Sequence, residues 1–351
     1  METNIKPDRM LDCPNRINLW SDTAILIYLA LIKLLIHLLT GNNYGYFGDE
    51  LYYLDATRHL DFGYVDIPPL VPLFMGFSQW LIGNSLFALH ILPAITGAFM
   101  VFFSGRMARQ LGGGRFAQWF TALMVIIVPF WLAFNSWFAY DTFDQLLVLL
   151  FLYIVILLVK QENPRRWLAL GAIAGIGLMT KLSMMFLCFA LIVAILATAR
   201  RKSFMTRWPW LAALIAAAIC APYLIWQSAH GWPILTYWHN YALFRPHPEL
   251  GQFLPEQVIN MNPFTFPIWV MGLIYLVFHR EGRKYRILGL IYITLFILFA
   301  GIMKLESRQL VSAYFPLLAA GAVWLEKLLA VPAPRFNLQW LKPFYIGFLV
   351  F

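Results

Sequence analysis

The chain reads as an all-α, polytopic membrane protein, and three observations carry that reading. Its 351 residues are 61% hydrophobic and only 12% charged. The apolar residues gather in runs of about 18 to 22, each able to cross roughly 30 Å of hydrocarbon as a helix. Lys and Arg collect in short clusters between alternate runs, as the preference for positive cytoplasmic loops demands.

Taken in order, spans are predicted near 23–40, 85–104, 117–134, 143–159, 167–180, 183–199, 209–228, 263–278, 287–303, 309–325 and 343–351, about ten to eleven in all. Lys6, Arg9 and Arg16 precede the first run, which lacks a small-residue cleavage site and so reads as an uncleaved signal anchor. The last run is too short to cross alone. It reads as a half-inserted helix or as part of a longer chain.

One set of loops holds Arg106, Arg109 and Arg115, then Lys160, Arg165 and Arg166, then Arg200 to Arg207, Arg280 to Arg286, and Lys327, Arg335 and Lys342. These face the cytoplasm. The opposite loops hold Asp49 to Asp66, Asn135 to Asp144, the break at Lys181, His230 to Asn262, and Lys304 to Arg308. The chemistry-capable residues therefore converge on the extracytoplasmic side of a cell inner or plasma membrane.

Residues 1–351 form one membrane domain without repeats, with Val331 to Pro334 as a Pro-rich connection. The first extracytoplasmic loop, 41–84, is predicted to hold two juxtamembrane helices, one from Asp49 to Leu60 and one from Leu70 to Leu81. Net charge is +9, but its placement between spans argues against nucleic-acid binding. Cys13, Cys188 and Cys220 have no metal or disulfide spacing. Walker, GxSxG and HExxH motifs are absent, which removes support for ATP-driven pumping, serine hydrolysis and metalloproteolysis.

Within the first loop, Asp49 and Glu50 either cap a helix start and complement its dipole, or form a partly desolvated pair suited to general-base work beside Tyr46, Tyr52 and Tyr53. Asp66 precedes Pro68 and Pro69, whose fixed backbone aims it in one direction. Asp141 and Asp144 share one helical face at a membrane edge. Lys181 interrupts a long apolar stretch, either snorkelling or aimed at a phosphate. Lys304 and Arg308 are phosphate candidates near the C-terminal end, Arg308 foremost for its planar fork. His230, His239 and His247 do not have helical metal spacing.

These residues resemble a known family, the multi-spanning glycosyltransferases that use lipid-linked sugars and include protein O-mannosyltransferases and the aminoarabinose transferase of lipid A. The resemblance runs through Phe47-Gly48-Asp49-Glu50-Leu51-Tyr52-Tyr53 and Gly63-Tyr64-Val65-Asp66-Ile67-Pro68-Pro69-Leu70. It continues through Tyr140 to Asp144, Gly177 to Lys181, His230-Gly231-Trp232-Pro233, Asn262-Pro263 and Tyr314-Phe315-Pro316. It implies a GT-C fold and inverting transfer of a sugar from a polyprenyl-phosphate donor to an extracytoplasmic lipid, glycan or protein acceptor. Asp49 would be the base, supported by Glu50. Tyr52, Asp66, Asp141, Asp144, Lys181, His239, Lys304 and Arg308 are the expected donor and acceptor contacts, and Mg²⁺ or Mn²⁺ is a possible cofactor. Relatives commonly place His or Lys where this chain has Ile67. A lipid or solute transporter and an inactive binding relative are the alternatives, the first disfavoured because the charges sit at one face rather than at mid-membrane.

Overall fold

The computed structural model describes residues 19–43, 45–160, 163–244 and 249–330. The predicted span at 343–351, the N-terminal basic residues, the Pro-rich connection and His247 lie outside them. Among the described residues every regular element is helical.

The first helix, α1 (Asp22–Thr40), starts where the Ser21 hydroxyl accepts from the Ala24 amide. Two short helices then occupy the first loop, as predicted: α2 (Gly48–Ala56), continued by a 3₁₀ turn over Thr57–His59, and α3 (Leu70–Ile82). Pro69 ends the extended connection between them. The chain returns as α4 (Leu86–Gln110), capped by Ser85.

The span predicted at 117–134 is broken. It comes as α5 (Arg115–Ile127) and α6 (Pro129–Phe134), because Pro129 has no N–H for the helical ladder and forces Val128 into extended backbone. Next come α7 (Tyr140–Lys160), α8 (Arg166–Thr180), α9 (Met184–Leu196) and α10 (Arg207–Ala229). Then follow α11 (Pro233–Phe244), α12 (Leu250–Asn260), α13 (Phe266–Val277), α14 (Arg286–Phe296) and α15 (Phe315–Ala330).

Among the described residues, six helical segments are long and apolar enough to cross a membrane by themselves, or eight if the two bent pairs each count as one span. The remaining predicted spans are shorter helices, such as α5 and α8. The chain is thus a multi-pass helical membrane protein.

Helix pairs α8 with α10, α13 with α15, and α1 with α4 form the closest packing. At α13 and α15 the approach is backbone to backbone. A Cβ at Gly272 would meet the Leu317 carbonyl oxygen at 1.8 Å, and one at Gly321 would meet that of Ile268 at 2.0 Å. Small residues replace the hydrophobic drive that water cannot supply inside lipid. Between the helices Trp131 stacks on Phe315 with ring centroids 4.2 Å apart. A second, smaller apolar cluster of Tyr53, Ile67, Val71, Leu89, Phe138 and Phe143 seats the first loop on α4 and α7. Ile67 is buried in it, so the position between Asp66 and Pro68 serves packing.

Candidate active site

The site grows from the start of α2. Its N-cap is Phe47, and the Glu50 carboxylate reaches back to accept from the Phe47 amide at 2.8 Å. The other Glu50 oxygen accepts from the Phe138 amide at 2.7 Å and from His90 Nε2 at 3.0 Å. His90 Nδ1 faces the Gly41 carbonyl at 2.8 Å. Both ring nitrogens meet acceptors, which the doubly protonated imidazole satisfies, so Glu50 and His90 form a buried ion pair. Glu50 is fully buried. It joins α2, the end of α1, α4 and the turn before α7.

Asp49 is left in the opposite condition. It is exposed, makes no hydrogen bond within the described residues, and lies within electrostatic reach of Arg308, Asp141 and Asp66. Loss of water around its carboxyl pushes the pKa up, Arg308 opposes that shift, and Asp141 and Asp66 reinforce it. One turn on, Tyr52 donates to Asp66 Oδ1 at 2.6 Å. Burial and that bond push the phenol up as well.

Across from α2, Lys181 sits at the turn between α8 and α9. Its ammonium donates to Asp141 Oδ1 at 2.5 Å and to Gln309 Oε1 at 3.0 Å, and lies 5.0 Å from the Tyr140 ring centre. Asp144, one turn down α7, is buried near the Ser183 hydroxyl at 3.5 Å. Arg308 pairs with Glu306, which also accepts from Tyr241 at 3.0 Å. Lys304 is exposed at a positive φ of 49°, just beyond a π-helical turn over Ile297–Ile302. Asp49, Tyr52, Asp66, Asp141, Lys181 and Arg308 thus come together in one electrostatic neighbourhood, with Asp144 beneath them. His239 lies on an exposed part of α11 and makes no hydrogen bond within the described residues.

The rim is fixed by the end of α10. Trp226 Nε1 donates to Asp61 at 2.7 Å, and buried Gln227 donates to the Tyr64 carbonyl at 3.0 Å while accepting from the Ile234 amide at 3.2 Å. A Cβ at Gly63 would meet the Trp226 ring at 2.6 Å, so only glycine lets the loop approach. Positive φ angles at Gly231 and Trp232 turn the chain into α11. Between α11 and the first loop lies a cavity of about 600 Å³.

Sequence reasoning did not find His90 or Gln309, whose partners are far away in the chain. A lone His near the end of an apolar span was the available signal for His90. The same signal marks Lys33 and His37 on α1, both buried, Lys33 donating to the Trp131 carbonyl at 3.3 Å and His37 meeting the Ser136 hydroxyl at 3.1 Å. For the possible divalent cation, no group of three or more His, Cys, Asp or Glu side chains is arranged as a metal site among the described residues. Asp66 and Asp141 are already engaged by Tyr52 and Lys181.

Residues 66–226, just under half of the chain, match the family model of dolichyl-phosphate-mannose-protein mannosyltransferases. Among solved structures, ArnT from Cupriavidus metallidurans in the apo state is similar at a TM-score of 0.69 and 18% identity, over 92% of this chain and 61% of that one. The same protein bound to undecaprenyl phosphate gives a TM-score of 0.71 at 18% identity, over 93% and 63%. The apo oligosaccharyltransferase of Archaeoglobus fulgidus gives 0.63 at 14% identity, over 95% and 54%. The chain therefore spans somewhat under two thirds of these structures. No protein of curated function matches it. The resemblance read in the sequence holds for the family model and for the fold: this chain has the GT-C fold of membrane glycosyltransferases.

Proposed function

With the GT-C fold as premise, we propose that the chain is an inverting glycosyltransferase that uses a polyprenyl-phosphate sugar at the extracytoplasmic face of the inner or plasma membrane. The observation that carries this reading is the contrast at the start of α2. Glu50 is spent on structure, while its neighbour Asp49 presents an unbonded carboxylate toward a cationic group, Arg308.

In the proposed step the acceptor oxygen attacks the anomeric carbon from the face opposite the phosphate. The new C–O bond forms as the bond between that carbon and the phosphate oxygen breaks, and the bonding pair leaves with the lipid phosphate. The acceptor proton passes to Asp49. Arg308, exposed Lys304 and Lys181 supply cations on the side where phosphate charge develops. Asp66, held by Tyr52, and Asp141 orient hydroxyls of the reacting sugars. Asp144 sustains the charge balance around Lys181, and His239 is assigned to the outer rim near the membrane lipids. Support for the lipid donor comes from ArnT, whose structure was solved with undecaprenyl phosphate.

Asp49→Asn tests the reading. Asn keeps the size of the side chain but cannot take the proton, so turnover should fall by roughly 10²- to 10⁴-fold with donor binding preserved. Because Asp49 is not the N-cap and makes no hydrogen bond among the described residues, thermal stability should not change. Full transfer activity in the purified Asp49→Asn protein would reject the base assignment.

A further inference from the structure

The cavity beside α11 is not used by the step above, yet it adjoins the site from two directions. Val65 on one wall neighbours Asp66, which Tyr52 of α2 holds. On the other wall Tyr241 donates to Glu306, the partner of Arg308. Both walls therefore end at groups that surround Asp49.

Its lining has a distinct chemistry. Tyr237 and Tyr241 present tilted rings with centroids 6.0 Å apart, and His230 stacks on Trp226 at 4.1 Å. Thr236 and Asn240 add a hydroxyl and an amide that no described residue engages, so both remain available as donors and acceptors. No Asp, Glu, Lys or Arg is among the described residues that line the space. Flat aromatic faces set between neutral donors and acceptors suit a molecule with apolar C–H faces and a rim of hydroxyls.

We infer that this cavity is the acceptor subsite and that it takes the neutral saccharide end of a glycan or glycolipid. The inference rests on the transferase reading and adds the acceptor class to it. The polar groups of the described lining are hydroxyl, amide and imidazole groups, the kinds that exchange hydrogen bonds with sugar hydroxyls. Val65, Pro233 and Phe244 add apolar faces, but a purely hydrocarbon tail would leave the Thr236 hydroxyl and the Asn240 amide without partners. The space, about 600 Å³ and open to solvent on one side, has room for a small organic group at the end of a longer molecule. Gln227 and the Trp226–Asp61 bond fix the walls in advance, so little ordering remains for the ligand to impose.

The test is binding, separate from turnover. The full chain in lipid nanodiscs is titrated with maltotriose, mannotriose and chitotriose, followed by saturation-transfer NMR and by tryptophan and tyrosine fluorescence. At least one trisaccharide should bind in the millimolar range. Tyr237→Ala should weaken it about fivefold to tenfold, Tyr237→Phe should retain most of the affinity, and Asn240→Ala should lose a smaller factor. Binding of none of the three sugars, saturation by a Ser/Thr-containing peptide in their place, or affinity unchanged in both alanine variants would overturn the inference. If Asp49-dependent transfer persists in that case, the subsite fails and the transferase reading stands.

Discussion

Asp49 and Glu50 are adjacent carboxylates with opposite surroundings, and the difference sets a pH dependence. In its proposed role Asp49 must be ionised to accept a proton, and loss of water raises its pKa above the ordinary aspartate range while Arg308 opposes that shift. Turnover should therefore fall as pH drops through that raised value, at a higher pH than an unperturbed Asp would give. Arg308→Gln removes the cation that favours the charged form, so the acid limb should move to still higher pH. The profile is measured at saturating donor, because the same substitution should also weaken binding of a polyprenyl-phosphate analogue. An acid limb at the parental pH in Arg308→Gln protein would show that Arg308 does not act on Asp49.

At the scale of elements, the Glu50–His90 pair holds the α2 start in place. Glu50→Ala would leave the partly buried Phe47 amide, the buried Phe138 amide and the His90 ring without their acceptor. Breaking a buried pair of this kind costs about 3–5 kcal/mol, so a clear drop in the thermal unfolding midpoint is expected in detergent. Glu50→Gln, which keeps a carbonyl for Phe138, should lose less. A midpoint unchanged in both would remove the brace. The sequence showed that the first loop holds two helices and a carboxylate pair, because periodicity and polarity are local properties. It did not reveal which carboxylate is structural, since the deciding partners lie 40 and 88 residues away. Lys181 and Asp141, read separately as a phosphate cation and a membrane-edge acid, meet each other for the same reason. Arg308, read as a phosphate clamp, carries Glu306 as its resting partner, which a donor phosphate must displace or share.

For the whole molecule, apolar runs located the main helices but not their breaks. Pro129 divides one predicted span, and a bend of 93° separates α12 from the segment that contains α13. Packing partners such as α13 and α15 were equally hidden, because Gly272 and Gly321 reveal themselves only when two backbones approach. Orientation rests on a different property, the gathering of Lys and Arg on alternate loops, from which we propose that the Asp49 face is extracytoplasmic. Single cysteines test this in a background with Cys13→Ser, Cys188→Ala and Cys220→Ala. Asp55 on α2 and Lys202 in the basic turn after α9 are both exposed, so access to reagent depends on the membrane rather than on burial. Asp55→Cys should react with an impermeant maleimide in intact cells, and Lys202→Cys only after the cells are opened. The reverse pattern would move Asp49 and its neighbours to the cytoplasmic face, where an acceptor and a lipid-linked donor would have to meet them from the opposite leaflet.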